Sequence, residues 1–167
     1  MSDAHQFETT LRWPAEATQT MPPSPTFSRN NILGGAGKPD VPGSSPAIYG
    51  GDTSRYNPEE LLLMSLAQCH MLTYLAIAAK KNITILAYDD RATGTLGVGE
   101  NAAAGTKVSM QSVMLHPRVT VAKDTNLADA QAMHDKAHAN CFMANSVNFP
   151  VTHVAEIIER EPTAGPE

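Results

Sequence analysis

The sequence predicts a single domain of the α+β class, and three observations support this. The chain has 167 residues, a length that suits one domain with a buried core. Hydrophobic residues make up 42% of it, as in folded rather than disordered proteins. Predicted strands outnumber helices and do not alternate with them strictly, an order typical of α+β domains. The sequence contains no internal repeat, so we expect residues 1–167 to form one domain.

The N-terminal part of the chain is expected to hold short strands and long loops. Residues 6–13 roughly alternate between apolar and polar side chains, which predicts a strand. A second, short strand is expected at 26–29. Residues 34–46 are rich in Gly, Pro and Ser, so we expect a long, mobile loop there. Loops of this length in a compact domain often carry function.

A strong helix start follows at residue 57. Asn57 can cap a helix, and Pro58 suits its first position. Glu60 stands where a capping box needs an acidic residue, and Glu59 beside it also favours the positive end of the helix dipole. We expect this helix to run to about Ala79, just before two lysines.

The second half of the chain predicts three more strands. Residues 83–98 and 106–121 have strand patterns, and the segment 99–105 between them is expected to form a hairpin loop. A last strand is expected at 151–159. The tail, 162–167, is expected to be frayed.

A second helix is expected from Thr125 or Asn126 to about Asn140. Its apolar and small residues recur near helical spacing. They are Leu127, Ala130, Met133, Ala137 and Cys141.

Charge and composition argue against two classes of partner. The formal net charge is −5, and no cluster of lysine and arginine exists, so we expect no nucleic-acid partner. The first residues contain no basic segment followed by an apolar run, so no secretory signal is expected. Residues 61–79 lack charged side chains and approach the length of a membrane span. Polar residues interrupt this stretch, which favours the central helix of a globular core over a membrane helix. We therefore expect a cytoplasmic protein without a membrane partner.

Two cysteines are the first candidates for chemistry. Cys69 lies midway along the first predicted helix, and Cys141 lies at the end of the second. Two cysteines are too few for the disulfide framework of a small secreted protein. Three interpretations stay open: buried structural residues, a redox pair, or a metal site formed with His70 and His138. Adjacent helical residues do not face each other, so His70 is expected to be packed or hydrogen-bonded rather than paired with Cys69.

A redox role would require a thiolate, a cation that stabilises it, and a carboxylate that holds the cation. Arg29 and Arg55 are the candidate cations, and Glu59 and Glu60 are the candidate carboxylates. Ten helical residues place Glu59 roughly 15 Å from Cys69 along the helix axis. A shared site therefore requires either a bent helix or a Glu59 contributed by a partner subunit, and the second is simpler.

Two segments of the chain resemble the signatures of the OsmC/Ohr peroxidases. The first is Tyr56-Asn57-Pro58-Glu59-Glu60-Leu61-Leu62, followed by Cys69 ten residues after Glu59. The second is Ala137-His138-Ala139-Asn140-Cys141, which leads into Ala144-Asn145-Ser146-Val147. The similarity extends from about residue 6 to residue 159. It implies an OsmC-like fold: an intertwined homodimer whose two central helices are wrapped by antiparallel β-sheets.

The resemblance also implies a function. It implies the reduction of organic hydroperoxides without a metal or bound cofactor, with Cys69 as the peroxidatic cysteine and Cys141 as the resolving one. It assigns the carboxylate to Glu59. The family arginine lies on an early strand in some members, which favours Arg29 over Arg55. In other members it lies shortly before the Asn-Pro-Glu motif, where this chain has Ala47-Ile48-Tyr49 instead.

The remaining expectations concern the substrate, the reductant and an alternative function. An apolar surround is expected to favour organic hydroperoxides over hydrogen peroxide. Its expected members are Leu62, Leu66, Met143 and Phe149. The resemblance suggests a dithiol reductant such as a lipoylated protein. The alternative is a redox-sensing or ligand-binding protein of the same fold with little turnover.

Overall fold

The computed structural model describes residues 4–16, 27–99 and 106–161. Its contacts group the chain into two compact units, which divide between Leu61 and Leu62. We call them the N-terminal unit and the C-terminal unit. The expected single domain stays a prediction.

The N-terminal unit contains a three-stranded antiparallel sheet. Its strands, in the order β1-β2-β3, are β1 (Thr10–Arg12), β2 (Asn31–Gly34) and β3 (Val41–Gly43). The strand predicted at 6–13 is therefore shorter than expected. The strand predicted at 26–29 is wrong in position, because residues 27–30 are not in a strand and β2 begins at Asn31; residue 26 lies outside the described residues.

The stretch 34–46 is not a continuous loop, because β3 lies within it. Leu33 of β2 pairs with Val41 of β3. The hydrogen bonds between the two strands stabilise β3 although the segment is rich in glycine and proline. Pro42 is tolerated because β3 is an edge strand of this sheet, where a residue without an N–H leaves no ladder bond unmade. The expected mobility of this stretch stays a prediction.

The first helix, α1 (Pro58–Lys80), begins and ends almost where the sequence predicts. The Glu60 amide donates to Asn57 Oδ1 at 2.8 Å, and the Asn57 amide donates to Glu60 Oε2 at 3.1 Å. These two reciprocal bonds form the predicted capping box. They fix the start of α1 and therefore the position of Cys69 along it.

The C-terminal unit contains two three-stranded sheets. One has the order β4-β7-β9 and the other β5-β6-β8. The strands are β4 (Ile85–Asp90), β5 (Thr93–Gly97), β6 (Ser109–Leu115), β7 (Pro117–Ala122), β8 (Val151–His153) and β9 (Glu156–Arg160). Within this unit the β4–β7 and β5–β6 pairs are antiparallel as expected, whereas β8 and β9 pair in parallel with β6 and β7.

Each of the three strands predicted in this half is divided into two. The chain leaves one sheet and enters the other at residues 91–92, at His116 and at residues 154–155. Pro117 marks the second of these points, since proline is accepted at the first position of a strand. A periodicity of two is the same on both sides of such a break, so the sequence pattern did not show it. Most of the predicted hairpin loop and the whole predicted tail lie outside the described residues.

The second helix, α2 (Leu127–Ala139), is capped by Asn126. The Asn126 side chain accepts hydrogen bonds from the amides of Ala128 and Asp129, which supports the predicted start. The helix buries one stripe against the sheets, and this stripe continues beyond its end to Cys141. Its members are Ala130, Met133, His134 and Ala137.

Helix α1 also buries a single stripe. Its fully buried residues recur every fourth position: Leu66, His70, Tyr74 and Ala78. The other faces are also apolar but stay partly exposed, and Leu72 is 55% exposed. By length and composition α1 could cross a membrane, but core helices of soluble proteins have the same properties, so a single such helix is weak evidence. Helices and strands are both present among the described residues, which confirms the α+β class.

Candidate functional site

The structure brings the two cysteines together within the C-terminal unit. Cys69 lies on α1 and is partly exposed, whereas Cys141 follows the C-terminal residue of α2 and is buried. Both are free thiols. Burial, followed by a side-chain hydrogen bond with Cys69, raises the pKa of Cys141 to about 11. A hydrogen bond that raises the pKa of a thiol stabilises its protonated form. The two thiols are therefore in hydrogen-bonding contact, and Cys141 is protonated at neutral pH.

A turn after α2 contributes further donors to the sulfur pair. We call residues 141–146 the α2 turn; it includes a short 3-10 helix, Ala144–Ser146. The Met143 amide donates to Cys69 Sγ at 3.5 Å, and the Ala144 amide donates to Cys141 Sγ at 3.4 Å.

Several hydrogen bonds fix the shape of the α2 turn. The Cys141 amide donates to the His138 carbonyl at 3.2 Å, and the Asn145 amide donates to the Cys141 carbonyl at 3.0 Å. The Ser146 hydroxyl donates to the Phe142 carbonyl at 2.7 Å. The two amides that face the sulfurs are therefore held in place before any reaction.

An apolar groove opens beside Cys69. It has a volume of about 580 Å³ and a surface that is mostly carbon. Its lining residues are Ser65, Gln68, Leu72, Thr73, Ala76, Asn140, Phe142 and Met143. Phe142 is 82% exposed at its rim. Such a groove can accept the hydrocarbon part of a small molecule while Cys69 Sγ contacts its polar end.

The groove differs from the apolar surround that the sequence predicted. Among the four expected residues only Met143 lines it. Leu66 is fully buried in a core cluster with Val113, Leu115 and Val151, and Leu62 and Phe149 pack against that cluster. Ser65, Leu72, Thr73 and Ala76 line the groove from the face of α1 that carries Cys69, and their helical spacing from Cys69 could have identified them. Asn140, Phe142 and Met143 come from the segment after α2, which this spacing does not reach.

The other candidate residues belong to the N-terminal unit. Arg29 donates to the Phe27 carbonyl at 3.2 Å, and its guanidinium lies over the Phe27 ring at 4.6 Å. Arg55 lies 3.5 Å from Asp52, but its Nη1 is buried without a partner among the described residues. Oε2 of Glu59 is likewise buried and unpartnered within the described part of the chain. The pairing of any of these groups with Cys69 stays a prediction.

A buried histidine cluster was not anticipated from the sequence. His70 Nε2 and His134 Nδ1 lie 3.0 Å apart, which confirms that His70 is hydrogen-bonded within the core. The His153 ring lies 5.3 Å from that of His70 and 5.8 Å from those of His134 and His138. His134 and His138 are four residues apart and therefore lie on one face of α2. This spacing is the feature of the sequence that could have predicted part of the cluster.

His70 and His134 are held in their neutral form. Burial first, then the nearby His153 and His138, lower the pKa of His70 to about 4. Burial, then His70 and His153, lower the pKa of His134 to about 3. Within residues 4–16, 27–99 and 106–161, no group of three or more His, Cys, Asp or Glu side chains is arranged to hold a metal ion. The metal site considered for Cys69, His70, His138 and Cys141 is therefore not formed.

Comparison with protein families gives a clear match. The sequence profile described as "OsmC-like protein" matches residues 50–156, which include α1, α2 and both cysteines. A search of curated protein sequences found no significant match.

Three solved structures illustrate the similarity of the fold. An OsmC-like protein of unknown function from Vibrio cholerae has a TM-score of 0.78 and 28% identity, and the match covers 91% of this chain and 99% of that one. An organic hydroperoxide resistance protein from Elizabethkingia anophelis has a TM-score of 0.65 and 17% identity, covering 96% and 100%. The organic hydroperoxide resistance protein OsmC from Legionella pneumophila has a TM-score of 0.62 and 18% identity, covering 93% and 99%.

Proposed function

Because the chain belongs to the OsmC-like protein family, we propose that it is a thiol peroxidase that reduces organic hydroperoxides to alcohols. The observation that carries this proposal is the hydrogen-bonded pair of Cys69 and Cys141 beside an apolar groove. Two solved relatives of the same fold are described as organic hydroperoxide resistance proteins. A cytoplasmic, reducing location suits the two free thiols.

The proposed cycle begins at Cys69. Its thiolate attacks the distal oxygen of the hydroperoxide, the O–O bond breaks, and the alkoxide takes a proton and leaves as the alcohol. Cys69 is thereby oxidised to a sulfenic acid. Cys141 sulfur then attacks the Cys69 sulfur, its proton joins the departing hydroxide as water, and a disulfide forms. An external dithiol, such as that of a lipoylated protein, reduces the disulfide and is itself oxidised.

The arrangement of the sulfurs suits this order of steps. Cys141 is buried and protonated, so it does not compete with Cys69 for the hydroperoxide. It also lies in hydrogen-bonding contact with Cys69, so the resolving step needs no large movement. The groove is lined mainly by carbon, which favours an alkyl hydroperoxide over the small and fully polar hydrogen peroxide.

We further propose that Arg29 assists Cys69 and that Glu59 orients Arg29. The alternative arginine is Arg55, and its unpartnered Nη1 supports that alternative. Activity of the variants Arg29→Lys and Arg55→Lys in the assay below would distinguish the two. The arginine that acts at the site should lose rate on this substitution, because lysine lacks the planar fork of donors.

One observation favours the alternative of a redox sensor with little turnover. Within the described part of the chain, the residues that line the groove include neither lysine nor arginine. A steady-state assay with tert-butyl hydroperoxide and dithiothreitol separates the two functions. A peroxidase should produce many equivalents of alcohol per protein chain, with a rate proportional to protein concentration. A sensor should form one disulfide and stop although reductant is present, and this outcome would contradict the proposed function.

We propose that the working form is a homodimer. Helix α1 leaves apolar faces exposed, and a second copy placed about a twofold axis would cover the same faces on both chains. It would also allow Glu59 of the partner subunit to approach Cys69, which the length of α1 prevents within one straight helix.

We expect light scattering at micromolar concentration to give the mass of a dimer that persists on dilution to the nanomolar range. The reason is that the buried surface should exceed about 2,000 Å², as in permanent interfaces. A monomeric mass with full activity would exclude both the dimer and the shared site.

A further inference from the structure

We propose that the α2 turn is part of the reactive site, with the Met143 amide acting as a catalytic donor that stabilises the Cys69 thiolate. The inference rests on the proposed function and adds a group to it. It begins with the position of the amide, which donates to Cys69 Sγ at 3.5 Å. An amide N–H that points at a thiolate favours its charged form over the neutral thiol.

The lining of the groove makes this donor important. Among the residues that the structure describes, it contains no lysine or arginine, whereas a reactive thiolate requires either a nearby positive charge or directed dipoles. Among the described residues, the Met143 amide donates to Cys69 Sγ, and the Cys141 side chain is in hydrogen-bonding contact with Cys69. The Met143 amide also contacts Cys141, so it lies between the two sulfurs. The thiolate would thus be stabilised by dipoles that the chain holds in place. An arginine would add to this stabilisation and would not be its only source.

The hydrogen bonds of the turn support a preorganised site. The Cys141 and Asn145 backbones and the Ser146 hydroxyl all bond within the segment 138–146. Such bonds fix the direction of the amides, so little reorganisation is needed when charge develops on sulfur. After the reaction, the same amide would face the sulfur of the Cys69 sulfenic acid while Cys141 attacks it.

The backbone at Met143 makes a direct test possible. Its φ of −68° lies within the range that proline requires, so Met143→Pro removes the N–H at an angle that the ring accepts. Met143→Ala is the matched control, because it shortens the same side chain and keeps the N–H. The measurement is the pH at which iodoacetamide alkylates half of Cys69, followed by mass spectrometry. We expect the midpoint for Met143→Pro to lie about one pH unit above that for Met143→Ala, as is typical for loss of one hydrogen bond to a charged group.

A second pair of variants keeps the test decisive if Met143→Pro does not fold, which circular dichroism would show. The Ser146 hydroxyl donates to the Phe142 carbonyl, which belongs to the same planar peptide unit as the Met143 N–H. Ser146→Ala removes this restraint on the direction of the amide, whereas Ser146→Thr keeps the hydroxyl. We expect a higher alkylation midpoint in Ser146→Ala than in Ser146→Thr. Equal midpoints within whichever pairs fold would overturn the proposal. Alkylation requires no turnover, so this result is independent of whether the chain proves to be a peroxidase or a sensor.

Discussion

Replacement of Cys69 by serine is expected to lower hydroperoxide turnover by three orders of magnitude or more, as is usual when an enzyme loses its nucleophile. The serine hydroxyl stays protonated at neutral pH and is a far weaker nucleophile than a thiolate. The substitution should leave the fold intact, because Cys69 is partly exposed and serine is similar in size. Turnover of cumene hydroperoxide with dithiothreitol as reductant measures the effect.

Cys141→Ser is the informative control for that variant. It should retain the first step, because Cys69 and its groove are unchanged. One equivalent of alcohol should form per chain, and the Cys69 sulfenic acid should then persist long enough to be trapped by dimedone and detected by mass. Cys69→Ser should show neither the alcohol nor the adduct. Wild-type turnover in Cys69→Ser would refute the assignment of the nucleophile.

Acidification is expected to destabilise the protein strongly between pH 7 and pH 5. The pKa of His70 is about 4 and that of His134 about 3 in the folded chain, against an ordinary value of 6.5. Below pH 6.5 the unfolded chain therefore binds protons that the folded chain does not, and stability falls as the pH falls. The loss continues until the pH reaches the folded values. At pH 5 the two groups together should remove about 2 to 4 kcal/mol of the free energy of unfolding.

The surroundings of the cluster determine that both histidines stay neutral in the fold. His153 and His138 face them, and so do the rings of Tyr74 and Tyr88. The carboxylate of Asp135 lies 3.4 Å from His153 and is largely exposed. Solvent weakens the effect of such a carboxylate, so it does not offset the burial of the two rings.

Urea unfolding at pH 7 and pH 5 measures the loss of the free energy of unfolding on acidification. His134→Gln should lose less stability on acidification than the wild type, because it removes one of the two groups that resist protonation. His5→Gln is the matched control, since His5 is exposed and lies outside the cluster. Equal pH dependence in the wild type and His134→Gln would show that the cluster is not the cause.

The sequence was most informative where local chemistry determines structure. Asn57 with Glu60 and Asn126 predicted the starts of both helices, because capping depends on residues within one turn. In the C-terminal unit the strands were predicted in place but not in number, since the change of sheet at His116 depends on long-range pairing. The same limit applies to β3, whose ladder partner lies in β2.

The candidate site was predictable in its residues but not in its environment. Resemblance to a family identified Cys69 and Cys141, and their contact is now described. The Met143 amide could not be anticipated, because a backbone N–H leaves no trace in residue identity. The histidine cluster combines residues from α1, α2 and β8, which no single periodicity connects.

The placement of the two cysteines also links the redox state of the chain to its thermal stability. A bond between Cys69 on α1 and Cys141 after α2 would close a ring of roughly 70 residues that contains β4 to β7 and all of α2. Closing a ring of that size restricts the unfolded chain and is worth about 4 kcal/mol. The oxidised protein should therefore melt at a higher temperature than the reduced one. Each catalytic cycle would alternate the molecule between a more stable disulfide form and a less stable dithiol form. A thermal melting curve would therefore show how much of the protein a given reductant had reduced.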